Sequence, residues 1–354
     1  MKWPLVLPLI ALGVLVATLF VQANAVVLLA SGVTLLGAVV SAVHHAEVVA
    51  HRLGEPFGTL VLALAVTVIE AALILSMMLS GGEASAAIAR DAIYAAVMII
   101  CNGVVGLCLL VGGLGHGEQS FRVEGTGSGL AALAALSTLV LVLPTLTVSA
   151  PGGAYATSQL VFVAISSLAL WLVFIFIQTI RHRDYFLPSE SPQDETIHAA
   201  PPGTREAWQS FILLLISLIG VVGLAKVLSP SIERTVIAHG APYAVVGVLI
   251  AMIVLLPETG AALRAARANR LQSSLNLAIG SAMASIGLTV PVVVGAALTF
   301  NLRLILGLGP TGIALLALTF VVGAITLGSG RTNMMQGAIH LIIFAAFLLL
   351  TLVP

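Results

Sequence analysis

Long apolar runs separated by short polar turns dominate the chain. Barrel strands alternate polar and apolar residues over about 10 positions, whereas these runs are continuous. Eleven of them approach or exceed the roughly 20 residues that a helix needs to cross a bilayer. They cover residues 4–22, 25–47, 57–79, 91–114, 127–148, 155–180, 209–228, 241–263, 272–299, 309–327 and 334–353. The pattern predicts an all-α polytopic membrane protein with about eleven transmembrane helices, numbered 1 to 11 in chain order.

Composition indicates the same class. Sixty per cent of the residues are hydrophobic, 8% are charged, and the mean hydropathy is +1.16. A soluble fold of this length needs far more polar surface. The formal net charge of zero says nothing about partners. The expected partners are the lipid bilayer, inorganic cations and protons; no nucleic acid is expected, and the oligomeric state stays open. Cys101 and Cys108 share one apolar run and are predicted to be buried packing residues rather than a disulfide.

Basic residues predict the orientation of the chain in the membrane. With the amino terminus inside, ten of them fall in cytoplasmic segments and four in outer loops. The ten are Lys2, Arg52, Arg122, Arg181, Arg183, Arg205, Arg264, Arg267, Arg270 and Arg331, and the four are Arg90, Lys226, Arg234 and Arg303. Cytoplasmic segments carry an excess of Lys and Arg. The sequence therefore predicts a cytoplasmic amino terminus and an external carboxyl terminus.

One hydrophilic stretch, residues 181–208, divides the predicted helices into six and five. Its prolines stand among Ser, Asp and Glu residues, a composition that cannot bury a core, and it is predicted to be a flexible cytoplasmic linker. The predicted organisation is an extra amino-terminal helix in residues 1–24, a five-helix repeat in 25–180, the linker, and a second five-helix repeat in 209–354.

A shared pattern indicates the two repeats. Glu47, Pro56-Phe57 and Glu70 in the first half correspond, in order, to Glu233, Pro242-Tyr243 and Glu258 in the second. An odd number of spans gives consecutive repeats opposite orientations in the membrane. Inverted repeats of this kind place the substrate site at mid-membrane, on their interface.

The extra helix has a second interpretation. Lys2, an apolar run and the small residues of 22–25 also form the pattern of a signal peptide with its cleavage site. The run is longer than the apolar core of about 7–15 residues found in signal peptides. This length favours a retained helix, and cleavage would leave the other ten predicted helices unchanged.

Glu70 and Glu258 are the candidate functional residues. Each stands near the middle of a span with no other charge, Glu70 in 57–79 and Glu258 in 241–263. A carboxylate at that depth costs several kcal/mol, about 2.5–3.5 for Asp on insertion scales. Such a group persists when it is protonated, paired or bound to a cation. The two glutamates therefore predict a site that exchanges protons for metal ions.

Neutral oxygen groups accompany the two acids. Asn102 lies mid-span in helix 4, Ser281 and Ser285 share a face of helix 9, and Thr67 precedes Glu70 by one turn. Pro257, directly before Glu258, is predicted to kink helix 8 and free a carbonyl. Oxygen-only ligation suits hard cations such as Ca²⁺ or Na⁺. Small polar residues in membrane helices also serve helix packing, and that alternative stays open for these side chains.

Two groups of histidines need separate interpretations. His44, His45, Glu47 and His51 lie near the predicted cytoplasmic end of helix 2, where they are either solvated or a proton entry or pH sensor. On helix 11, His340 shares a face with Gln336 and Thr332, and the three are predicted to form a hydrogen-bonded trio.

Several sequence runs carry a resemblance to a known family. They are residues 51–60 (HRLGEPFGTL), 67–70 (TVIE), 256–259 (LPET), 280–285 (GSAMAS) and 330–333 (GRTN). Together they resemble the bacterial ChaA type of the Ca²⁺:cation antiporter superfamily, over nearly the whole chain. The resemblance implies one extra helix plus two inverted five-helix repeats, and an antiporter rather than an enzyme.

The resemblance also implies roles for particular residues. Glu70 and Glu258 take the positions of the acids that bind metal and protons, and Asn102, Ser281 and Ser285 lie on the helices that supply further ligands. The implied cargo is Ca²⁺ or Na⁺, and also K⁺, exported against H⁺ through a bacterial inner membrane with no resident cofactor. Vacuolar relatives carry Gly-Asn-Ala where this chain has 67–69 (TVI), a departure that predicts broad cation selectivity. A passive cation channel is the alternative function.

Overall fold

The structure, a computed structural model, describes residues 3–21, 24–53, 57–80, 82–187, 202–238, 240 and 242–354. Within these ranges the chain forms eleven helical segments and one short antiparallel ribbon. The helices are α1 (Trp3–Thr18), α2 (Ala25–Leu53), α3 (Phe57–Ser80), α4 (Ser85–His116), α5 (Val123–Leu146), α6 (Thr157–Arg181), α7 (Thr204–Ala238), α8 (Ala244–Arg267), α9 (Leu271–Phe300), α10 (Pro310–Gly328) and α11 (Met334–Leu352). Strands β1 (Gln119–Ser120) and β2 (Arg331–Thr332) pair with Gln119 opposite Thr332.

Each predicted span corresponds to one of these helices, so the prediction of an all-α polytopic membrane protein is confirmed. Among the described residues, eight helices are long and apolar enough to cross a membrane, and α8 makes nine if its two bent parts are one span. The remaining two contribute shorter apolar stretches, Pro4–Thr18 in α1 and Leu64–Leu79 in α3. Both cysteines are buried and free, as predicted.

Two helices are longer than their apolar runs. The predicted spans cover 25–47 and 209–228, whereas α2 has 29 residues and α7 has 35, or about 44 and 52 Å at 1.5 Å per residue. Both exceed the hydrocarbon thickness of about 30 Å, so their polar ends continue as helix beyond the apolar run. Glu206 in the first turn of α7 favours this start through the helix dipole. Helix α7 therefore begins inside the predicted linker 181–208.

Some predictions fall outside the described residues. They concern 188–201 of the linker and 54–56 of the first resemblance run. The same holds for the side chain of Glu233 in the repeat pattern.

The chain divides into two compact units that do not coincide with its two halves. The first unit comprises Met1–Ser85 and Ser191–Gly240, and the second comprises Ala86–Glu190 and Ala241–Pro354. Each unit therefore takes helices from both halves of the sequence. The division into inverted repeats at 25–180 and 209–354 stays a prediction.

In the first unit, α2 and α7 pack along each other, and α1 and α3 each contact both of them. In the second unit, α4 packs against α8 and α11, and α9 packs against α5, α6 and α8. The contact of α4 with α11 is a close approach of backbones. A Cβ placed on Gly337 would lie 2.3 Å from the Leu110 nitrogen and 2.8 Å from the Gly106 oxygen.

The connection from α9 to α10 crosses one end of the second unit and is held by main-chain hydrogen bonds. Ile305 donates to Ala86 at 2.9 Å and forms an antiparallel bridge with Ala154. Farther along, Leu308 donates to Leu141 at 2.8 Å. Its leucines at 304, 306 and 308 are buried, as residues on one face of a strand would be. The crossing ties together the ends of α4, α5 and α10.

Candidate functional site

Glu258 occupies a break in α8. The helix bends by 52° between Ala244–Leu256 and Glu258–Arg267, which confirms the kink predicted from Pro257. Glu258 is buried, and Ser281 of the adjacent α9 donates a hydrogen bond from its hydroxyl to Glu258 Oε2. Two residues predicted from the sequence to act together are therefore in direct contact.

A small cavity lies beside this pair in the second unit. Its volume is about 10 Å³, which holds about one water. Glu258, Ser281 and Thr259 are its polar lining residues, although the surface exposed to the cavity is apolar; the other lining residues are Ile100, Val104, Leu255, Ala262, Leu277 and Ala278. In such apolar surroundings a carboxyl group must be protonated, hydrogen-bonded to a partner or bound to a cation. Carboxylate and hydroxyl oxygens are the ligands that Na⁺ and Ca²⁺ accept.

Thr67 and Glu70 lie on α3 in the first unit. Both side chains are buried, and their spacing of one turn places them on the same face of the helix. Glu70 and Glu258 belong to different compact units. Their function as one shared site stays a prediction.

Asn102 is buried, and its hydrogen bonds to other helices run to α10 and α11 rather than to α8 or α9. It lies in a widened turn of α4, the π-helical stretch Ile99–Val104. Its amide nitrogen donates to Thr319 of α10 at 2.8 Å, and its amide oxygen lies 3.0 Å from His340 Nδ1 of α11. The neighbours Ile100 and Val104 line the cavity, whereas Asn102 is absent from the lining. The role of Asn102 as a cation ligand stays a prediction.

The polar face of α9 is buried along its length. Ser281, Ser285 and Thr289 recur at intervals of four residues, and all three are buried. Only Ser281 lines the cavity beside Glu258.

The prediction of a trio on helix 11 is wrong. His340 bonds to Asn102 and, through Nε2 at 3.1 Å, to Thr326 of α10. Gln336 instead accepts from the Asn333 backbone at the start of α11, because the two residues form a reciprocal helix cap. Sequence reasoning thus missed Thr319 and Thr326, whose only signal was a polar residue in an apolar span.

The predicted histidine group on α2 divides into buried and exposed members. His45 is buried, His44 and Glu47 are half-buried, and His51 is exposed. His45 Nε2 lies 2.9 Å from the Pro4 carbonyl oxygen, to which Ser41 also donates at 3.2 Å. Pro8 has no N–H to donate to this carbonyl, so α2 supplies the missing donors. His45 therefore joins α1 to α2, and proton entry or pH sensing by the group stays a prediction.

We expect His45→Leu to destabilise the protein modestly and Pro8→Ala to offset part of that loss. The first change removes one donor from the Pro4 carbonyl, worth about 1 kcal/mol. The second restores a backbone N–H at position 8 that donates to the same carbonyl. Thermal unfolding of the purified protein in detergent measures both effects, with His51→Leu as the exposed control. If His45→Leu lowers the unfolding temperature equally with and without Pro8→Ala, His45 does not stabilise the protein through the Pro4 carbonyl.

The sequence profile of the sodium/calcium exchanger protein family matches residues 23–180 and 209–353. The chain belongs to this family. The exchanger is 37% identical to the sodium-potassium/proton antiporter ChaA of Escherichia coli, over 98% of this chain and 94% of that protein. It is 46% identical to the y4hA protein of Sinorhizobium fredii, over 99% of this chain and 96% of that protein.

Solved structures share the fold of the exchanger. It matches native YfkE with a TM-score of 0.75 at 18% identity, over 99% of this chain and 100% of that one. The H⁺/Ca²⁺ exchanger CAX matches with a TM-score of 0.73 at 15% identity, over 98% of this chain and 87% of that one. The exchanger is thus a polytopic membrane antiporter for cations rather than an enzyme.

Proposed function

We propose that the exchanger carries cations out of the cell in exchange for protons, across a bacterial inner membrane. Glu70 and Glu258 bind the cation and the protons in turn. The observation that carries the proposal is the contact of Glu258 with Ser281 beside a water-sized cavity of otherwise apolar walls. The 37% identity to a sodium-potassium/proton antiporter supports proton coupling, and the contact between the Glu258 carboxyl and the Ser281 hydroxyl, both oxygen groups, supports Ca²⁺, Na⁺ or K⁺ as cargo.

The proposed coupling follows from charge. Two carboxylates that are both empty and charged are costly to enclose in a low-dielectric chamber. Protonation or cation loading lowers the net charge of the site, so these two forms pass through the closed state and the empty dianion does not. A proton must therefore enter when a cation leaves.

The proposed orientation has the amino terminus in the cytoplasm and the carboxyl terminus outside. It is supported by the ten basic residues that this arrangement places on the cytoplasmic side, against four outside. In that orientation the proton-motive force drives cations outward.

The test is proton movement in everted membrane vesicles that contain the exchanger. Respiration acidifies the vesicles, a pH-sensitive dye reports the gradient, and Ca²⁺, Na⁺ and K⁺ are added separately. We expect at least one cation to dissipate the gradient, with vesicles lacking the exchanger as the control. Cation flux that follows voltage and leaves the pH gradient intact would contradict the proposal and indicate a channel.

A further inference from the structure

Four buried polar side chains connect three helices of the second unit. Thr326 and Thr319 of α10, His340 of α11 and Asn102 of α4 are each 2% exposed or less. The distances between successive partners are 3.1 Å for Thr326–His340, 3.0 Å for His340–Asn102 and 2.8 Å for Asn102–Thr319. The chain of bonds ends where the Thr319 hydroxyl donates to the Leu315 carbonyl at 2.8 Å.

The bonds are consistent with one direction of donation. With the Asn102 amide placed so that its nitrogen donates to Thr319, its oxygen accepts from His340, which then carries its proton on Nδ1. His340 Nε2 is left as an acceptor for the Thr326 hydroxyl. This assignment of the imidazole tautomer follows from the partners around it. Both amide groups of Asn102 and both nitrogens of His340 are used.

Asn102 sits where α4 departs from regular geometry. The π-helical turn Ile99–Val104 inserts an extra residue into the helix, a feature that is frequent at functional sites. Ile100 and Val104, two residues to either side of Asn102, line the cavity beside Glu258. Asn102 faces α10 and α11 instead. In the widened turn, Asn102 is therefore hydrogen-bonded to α10 and α11, whereas Ile100 and Val104 line the cavity.

We propose that His340 is a positioning residue for cation binding, acting through Asn102. Its Nδ1–H holds the Asn102 amide, the amide holds the widened turn, and the turn places Ile100 and Val104 against the cavity. His340 itself is absent from the cavity lining. The inference rests on the proposed function insofar as it assigns the cavity beside Glu258 to the transported cation.

Two substitutions distinguish the hydrogen bond from simple packing. In His340→Asn the side-chain nitrogen falls near the position of Nδ1 and can still donate to Asn102. In His340→Gln the amide falls near the position of Nε2, so the donor to Asn102 is lost although Gln is closer to His in size. We expect His340→Gln to raise the half-saturating cation concentration roughly tenfold, and His340→Asn to remain close to wild type.

A second readout is independent of transport. Cys101 lies in the widened turn beside Asn102 and is buried, and Cys108 is the other cysteine of the chain. In a Cys108→Ala background, a membrane-permeant maleimide reports how often the turn opens around Cys101. We expect labelling to stay slow in wild type and His340→Asn, and to accelerate roughly tenfold in His340→Gln.

The two readouts separate failure of this inference from failure of the proposed function. If wild type exchanges no cation for protons, the labelling experiment still tests whether His340 holds the turn. Equal labelling and equal half-saturation in His340→Asn and His340→Gln would overturn the inference while exchange itself persists. If neither variant inserts, Asn102→Leu removes the group through which His340 acts, and unchanged Cys101 labelling in that variant would also overturn it.

Discussion

Replacing Glu258 by glutamine is expected to abolish cation/proton exchange while the protein still inserts in the membrane. Glutamine keeps the shape and can accept a hydrogen bond from Ser281, but it carries neither a charge for the cation nor a proton to release. Removing the carboxylate that the bound cation would pair with costs about 2–5 kcal/mol, so the rate should fall at least about thirtyfold. Gradient dissipation in everted vesicles, normalised to the amount of inserted protein, measures the loss.

Three further variants provide exchange rates and cation affinities with which Glu258→Gln can be compared. Glu118 is an exposed glutamate that pairs with Arg331 at 3.3 Å, and Glu118→Gln should exchange at the wild-type rate. Ser281→Ala removes a hydrogen bond to a charged group, worth about 1.5–3 kcal/mol, and should raise the half-saturating cation concentration about tenfold or more. We expect Glu70→Gln to behave like Glu258→Gln. Exchange by Glu258→Gln at the Glu118→Gln rate would refute the assignment of the site.

Replacing Gly337 by valine is expected to prevent stable assembly of the second unit. A Cβ at this position would lie 2.3 Å from the Leu110 nitrogen, 2.8 Å from its Cα and 2.8 Å from the Gly106 oxygen. All three are backbone atoms, so no side chain can rotate away, and α4 and α11 must separate. Close backbone approach at small residues is a main source of packing energy between membrane helices. Even Gly337→Ala should cost on the order of 1–3 kcal/mol.

The yield of monodisperse protein and its unfolding temperature measure this effect. Gly295 in α9 has open space around an added Cβ, and Gly295→Ala is the matched control. We expect Gly295→Ala to match wild type, Gly337→Ala to unfold at a lower temperature, and Gly337→Val to yield little folded protein. Equal stability of the two alanine variants would show that α4 and α11 do not approach as described.

Local sequence information was sufficient to predict the helices and one contact of the candidate site. Apolar runs predict where each helix lies because the hydrocarbon region imposes a minimum length. The apolar runs do not predict the ends of α2 and α7, because both helices continue beyond the last apolar residues of their runs. The kink at Pro257 has a local covalent cause and is confirmed. Glu258 and Ser281 could both be placed because a carboxylate and small polar residues stand out in apolar spans.

The remaining site features depend on contacts between distant residues. Asn102 bonds to residues 217 and 238 positions away, so no local spacing indicates that it faces α10 and α11. The widened turn of α4 likewise contains no residue such as proline from which it could be predicted. His45 was assigned to a polar end of helix 2 because its partner, the Pro4 carbonyl, is a backbone atom that every residue carries.

The crossing between α9 and α10 bears on how this part of the molecule can change over time. Its attachments to Ala86, Gly153 and Leu141 use main-chain groups, which substitution leaves in place. Outward-facing positions such as Arg303 can therefore be substituted during evolution without loss of these hydrogen bonds. Selection must retain the inward leucines, an unbroken length and Gly307, where a Cβ would lie 2.9 Å from Gly153 Cα. The outward positions of the crossing can diversify while the helix ends stay connected.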